Sequence, residues 1–211
     1  MARLLSVNIG RPEHVPGHHA PTGIIKRPVD GPVEIGRLGL LGDAIIDRKY
    51  HGGPDQAVYI YLQSDYDFWA GELGRVLEPG TFGENLTISG VDGGRLSVGD
   101  RFAIGSVLLE VTSHRTPCNT FAARMGDRTW AKRFFKAGRP GAYARVLQEG
   151  ALQAGQPIEY TSFMGEPVLV SDLLALEGKR DIEIDMLKRG LASPIHPKIR
   201  ADFEKRLAAL A

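Results

Sequence analysis

Short β-prone runs, each fenced by glycine or proline turns, recur through residue 161, and no other feature restricts the fold as strongly. Leu5, Val7 and Ile9 alternate with Ser6 and Asn8 as a half-buried strand, and Gly23–Arg27 and Val33–Ile35 follow between Pro28, Gly31, Pro32 and Gly36. Val58–Leu62, Leu86–Ile88, Arg101–Ile104, Val107–Val111, Ala142–Leu147 and Pro157–Thr161 continue the series. Many short strands with frequent turns close into a barrel or stack as a sandwich rather than forming a parallel βαβ sheet. The 211 residues suffice for one domain with a sizeable core.

Helical spacing is confined to a few places. Ser64 or Asp65 is positioned to cap a helix running to Leu73, with Tyr66, Trp69 and Leu73 inward and Gly74 as its stop. Asp127 is expected to cap another, with Trp130, Phe134 and Phe135 inward and Lys132, Arg133 and Lys136 on a solvated face, broken by Gly138-Arg139-Pro140-Gly141. Beyond Met164 the pattern turns helical at Ser171–Leu176, Ile182–Leu187 and Pro197–Leu210. The expected organisation is a β domain over 1–162 and a helical appendage over 163–211. The appendage lacks cysteine and is expected to serve docking or regulation rather than chemistry.

Charge and cysteine usage narrow the function. Lys plus Arg total 26 against 25 Asp plus Glu, so there is no general electrostatic footprint for nucleic acid or an anionic membrane. No segment has membrane-spanning length and no apolar leader precedes the first strand. A single cysteine excludes an internal disulfide, a cysteine-rich zinc site and a four-cysteine iron–sulfur cluster, which favours a reducing, cytoplasmic setting. His14, His18 and His19 lack the i, i+4 spacing of a zinc helix and are expected as solvated loop residues.

That cysteine, Cys118, falls where the period changes from strand to helix. Ser106–Val111 is β-rich, while Phe121, Ala122 and Met125 have helical spacing. Pro117 suits the first helical position, which puts Cys118 in the first turn. There the positive end of the helix dipole and the Arg115 guanidinium both favour a thiolate, the form that binds metals or attacks; the other reading is a small buried hydrophobe. Two further stretches offer ligand contacts. His51-Gly52-Gly53-Pro54-Asp55 places adjacent glycines before Pro-Asp, a turn whose backbone N–H groups can cradle phosphate or pterin oxygens, although the same residues make a good hairpin turn. Glu84 and Asn85, entering the strand at Leu86, can meet a ligand's polar edge or brace their own loop. Arg139 and Arg145 are the basic residues nearest a phosphate in this reading, or else solvent-exposed.

Taken together, Gly39-Leu40-Leu41-Gly42-Asp43, Asp47 with His51-Gly52-Gly53-Pro54-Asp55-Gln56-Ala57, Phe82-Gly83-Glu84-Asn85-Leu86, Gly99-Asp100, Arg115-Thr116-Pro117-Cys118 and Gly141–Leu147 resemble the MOSC-domain proteins. These are named after the C-terminal domain of molybdenum-cofactor sulfurase. The resemblance runs from about Gly39 to Glu159 and is to the short single-chain bacterial branch, similar to reductases of N-hydroxylated compounds. It implies a mainly β MOSC-type barrel with peripheral helices, and some relatives also end in three helices.

It further implies a molybdenum–pterin cofactor with the metal on Cys118, which fits the preference of soft thiolates for such a metal. Cofactor or substrate contacts then fall to Arg115, Asn119, His51 and Arg145, with Gly52, Gly53, Asp55, Glu84 and Asn85 around the cofactor; Arg115 and His51 join Cys118 as catalytic candidates. The implied reaction takes oxygen from N-hydroxylated bases or amidoximes, leaving amines or amidines. A cysteine persulfide carrier and a non-enzymatic cofactor-storage or insertion protein are the alternatives. A chain with one cysteine and no Gly-x-Gly-x-x-Gly after a strand carries no relay of its own, so a flavoprotein or ferredoxin-type reductase is the expected electron donor. Relatives usually have proline where this chain has His114.

Overall fold

The structure, a computed structural model, describes residues 1–18, 20–48 and 51–210; His19, Lys49, Tyr50 and Ala211 lie outside it, and the expectation for His19 with them. Among the described residues there are eleven strands: β1 (Ala2–Gly10), β2 (Lys26–Pro28), β3 (Val33–Gly36), β4 (Gly39–Leu40), β5 (Val58–Leu62), β6 (Leu86–Ser89), β7 (Arg101–Ile104), β8 (Val107–His114), β9 (Ala142–Gln148), β10 (Gly150–Leu152) and β11 (Pro157–Thr161). The helices are α1 (Gln63–Leu73), α2 (Asn119–Met125), α3 (Trp130–Ala137), α4 (Val170–Leu176), α5 (Ile184–Ala192) and α6 (Pro197–Ala208).

The strand order β11-β7-β8-β9-β5-β6-β1 closes on itself because β1 also pairs with β11, giving a seven-strand mixed barrel in which, among the described residues, only β5 and β6 run parallel. Closure removes the open edges that a sheet of this size would otherwise present. Strand β2 extends β1, and β10-β3-β4 forms a small separate sheet.

Strand β5 shows why the barrel has cores on both sides. Val58, Ile60 and Leu62 point inward among Leu4, Leu86, Ile88, Phe102 and Leu109, whereas Tyr59 and Tyr61 point outward beneath the helices. All five are buried. Tyr61 stacks on Phe82 at 4.3 Å between centroids and Trp69 packs on Trp130 at 4.6 Å, pairs worth about 0.5–1.5 kcal/mol each beyond their buried area. The Trp69 indole N–H donates to Tyr61 Oη at 2.8 Å and the Tyr59 hydroxyl donates to the Pro140 carbonyl at 2.8 Å, whereas the buried Trp130 Nε1 has no hydrogen-bond partner among the described residues.

Several local expectations give way to tertiary packing. Register slips between Leu4 and Ser6, so the bulge at Leu5 turns that side chain out and buries Ser6, while Val7 stays buried as expected. No side chain caps α1: Ser64 Oγ accepts from Gly93 N, and Asp65 is buried in an ion pair with Arg139 at 2.7 Å. Asp127 caps only the turn before α3, accepting from Thr129, and Phe135 faces solvent while Trp130 and Phe134 go inward.

The 163–211 segment is stitched to the barrel. Val98 N donates to Val168 O, Val170 N to Leu96 O and His196 N to Thr112 O. Val170 belongs to the barrel's own core, and Val168, Leu173, Leu187, Ile195 and Phe203 form a third cluster with Val98. No helix among the described residues is long and apolar enough to cross a membrane.

Candidate functional site

Strand β8 delivers the site. Its Val107, Leu109 and Val111 lock into the barrel, and Thr112 Oγ1 donates to Asp55 O at 2.6 Å, tying the Gly-Gly-Pro-Asp turn to the same strand. Past His114 the chain leaves the barrel, and α2 begins only at Asn119. Cys118 is therefore the N-cap residue, extended at φ −124° and ψ 169°, and Pro117 lies ahead of the helix instead of at its first position. The helix thus begins two residues later than the sequence spacing indicates. The sulfur still meets the electropositive end of α2.

A cavity of about 410 Å³ opens at this point against the outer faces of β5 and β9, where Tyr59 and Tyr143 form part of its wall. Cys118, Arg115, His51, Gly52 and Asn85 line it together. Burial raises the Cys118 thiol, but a hydrogen bond with His51, the Arg115 charge and the Phe121 N–H in the first turn of α2 outweigh it and bring the pKa down to about 6. Arg115 is 5% exposed. Its guanidinium donates to Phe82 O at 2.9 Å and lies over the rings of Tyr59 and Phe121, at 4.7 and 4.6 Å from their centroids. It has no carboxylate partner among the described residues, and its Nε is buried without one.

Gly83 makes room for that guanidinium. At φ +74° a Cβ there would stand 2.9 Å from Ile24 Cγ1 and 3.3 Å from Arg115 Nη1. Gly23 permits a second close approach: a Cβ would fall 1.9 Å from Ala44 O, so the loops carrying residues 23 and 44 meet backbone to backbone. Their meeting assembles a polar group of which the sequence analysis named only Asn85 as a ligand contact. The Lys26 ammonium donates to both oxygens of Asp43, Asn85 Nδ2 donates to Asp43 Oδ2 at 2.9 Å, and Lys26, Asp43 and Asn85 all line the cavity. Burial lowers the Lys26 pKa against the pull of Asp43. His18, expected in solvent, also lines the cavity, with Nε2 3.0 Å from Thr120 Oγ1.

A MOSC domain family model matches residues 47–159. This chain belongs to the MOSC family. It is 36% identical to YflK of Bacillus subtilis (strain 168) over 161 residues, 75% of this chain and 73% of YflK. A Gibberella moniliformis protein named Reductase is 33% identical over 160 residues, 74% of this chain but 28% of that protein. Among solved structures, YiiM from Geobacillus stearothermophilus superposes with a TM-score of 0.80, covering 98% of this chain and all of that one at 26% identity.

The remaining candidate residues of this MOSC chain stand off the cavity. Glu84 is buried behind Gly83, where Oε1 accepts from Tyr66 Oη, Gly80 N and Thr87 Oγ1 at 2.5–2.8 Å; burial raises its pKa. It braces the loop. Arg145 pairs with Asp55 at 2.8 Å and donates to Pro194 O, so both hold the Gly-Gly-Pro-Asp turn against β9. Gly53 and Asn119 are exposed outside the cavity lining, and Arg139 lies with Asp65. His114 turns away from the cavity and meets Glu177.

Proposed function

We propose that this MOSC protein holds a molybdenum–pterin cofactor in the Cys118 cavity and reduces N-hydroxylated bases or amidoximes to amines or amidines. The observation that carries the reading is the pairing of an activated thiol with a buried guanidinium that lacks a carboxylate partner. A buried cation of this kind calls for an anionic group, and the pterin phosphate or dithiolene supplies one. The cavity volume lies within the ordinary small-ligand range of about 300–1,000 Å³. No set of three or more His, Cys, Asp or Glu among the described residues is placed to hold a metal. A metal here would therefore bring its other ligands with it, as a pterin-borne metal does.

When bound, the cofactor supplies a two-electron redox centre. The chain's residues supply the rest: the Cys118 thiolate is a soft ligand, Arg115 balances negative charge, and His51 orients the sulfur. Lys26, Asp43 and Asn85 offer hydrogen bonds to the polar edge of cofactor or substrate. The overall change, R–NHOH plus two electrons and two protons to R–NH₂ and water, needs an outside reductant, and we assign that role to a flavoprotein or ferredoxin-type partner in the cytoplasm. The fungal relative's name, Reductase, supports an oxidoreductase role for the shared domain. Elemental analysis and pterin fluorescence on freshly purified protein test the reading, followed by turnover of an N-hydroxylated base. Persulfide on Cys118 without metal would instead support a sulfur carrier, and metal without turnover a cofactor-insertion protein.

A further inference from the structure

The segment 115–117, which joins β8 to α2, makes no backbone–backbone hydrogen bond to another described residue outside the strand and helix ladders. Its position rests on side chains. Arg115 is held on one side by Phe82 O and two rings. On the other side, the residues immediately before and after Arg115 converge on a single atom of the C-terminal segment. Glu177 Oε1, at the end of α4, accepts from His114 Nε2 at 2.9 Å and from Thr116 Oγ1 at 2.7 Å. A carboxylate only accepts, so the Nε2 of His114 carries the proton.

We infer that Glu177 is a positioning residue for the Cys118 cavity: by gripping His114 and Thr116 together, it fixes Arg115 between the Tyr59 and Phe121 rings. The His114 hydrogen bond holds the Glu177 carboxyl below its usual range against burial, with Thr116 adding to the effect. This grip couples the helical segment to the site without touching Cys118. It bears on the reductase site proposed above, yet its test needs neither cofactor nor turnover, so the two can fail separately.

The test is the Arg115 Nε–H signal in ¹H–¹⁵N spectra of the full-length, cofactor-free chain, together with its exchange rate with water. In wild type the stacked, buried guanidinium is expected to give a ring-shifted, slowly exchanging signal. Glu177→Ala is expected to shift that signal and to speed exchange roughly tenfold, the loss of charge-assisted hydrogen bonds being read as local opening. Glu177→Gln keeps an acceptor oxygen and is expected to restore the wild-type signal, which a loss of global stability would not do. Thr116→Val, which removes one bond and no core atom, is expected to fall between, and serves if the alanine variant does not fold. An unchanged Arg115 signal in Glu177→Ala or Thr116→Val, or equal loss in Glu177→Gln, would overturn the inference.

Discussion

Cys118 and Arg115 stand three residues apart, and each offsets the other's burial. A thiol with a pKa of about 6 is mostly thiolate at neutral pH. Alkylation of the cofactor-free protein by iodoacetamide should therefore fall as pH drops through about 6 and level off above it. Arg115→Met should move that midpoint up, toward the ordinary thiol value of about 8.5; an unmoved midpoint would show that Arg115 does not activate the sulfur. Cys118→Ser, which swaps soft sulfur for hard oxygen, should lose bound molybdenum while keeping its circular dichroism.

Much of this site was legible in sequence because Cys118, Arg115 and His51 announce themselves by local context. Lys26 and Asp43 do not. They lie 17 residues apart in a chain of turns and meet only because Gly23 lets two loop backbones touch. Asp43 closes the Gly39–Asp43 motif, and Lys26 ends the apolar pair Ile24-Ile25; those are the only local signals for them. Glu84, Asp55 and Arg145 carried the right chemistry for a ligand, but their partners, which sequence spacing does not reveal, turn them into braces.

Elements obeyed their periodicity better than their caps. Val58–Leu62 has the bounds that the pattern gives, and Gly74 and Gly138 stop their helices in the left-handed conformation. Asp65, a natural cap, was taken instead by Arg139 across the fold. Burial raises its carboxyl from 3.8 to about 6 despite that partner. The folded chain thus keeps a proton that the unfolded chain releases between those values. This group's contribution to stability is greatest below about pH 4 and declines as pH rises to about 6, by up to ~3 kcal/mol, and is flat beyond. Urea unfolding from pH 4 to 7 should show this decline in wild type and not in Asp65→Asn; parallel curves would refute it. Gly83→Ala should cost about 1–3 kcal/mol from its left-handed φ and the collision with Ile24, and should displace Arg115, visible as a raised Cys118 alkylation midpoint.

At the scale of the whole molecule, many short strands pointed to a barrel or a sandwich and the family resemblance to the barrel, but the role of the helical tail was not legible. Periodicity marks three helices after Met164; it says nothing of Val170 entering the barrel core or of Thr112 bonding His196. Cutting after Ser162 strips that cover from Val98 and should yield a chain that binds hydrophobic dyes and melts at lower temperature. A native-like melt would mean that the barrel stands alone. Purified holoprotein should not turn over on NADH or NADPH alone and should do so once a flavoprotein reductase is added. The most direct measurement is amine formation from an N-hydroxylated base by cofactor-loaded protein with reduced viologen as donor, beside Cys118→Ser treated identically. One amine per two electrons consumed in wild type, and none in the variant, is the expected result. No amine from protein with stoichiometric molybdenum, or equal amine from Cys118→Ser, would contradict a reductase built on this thiolate.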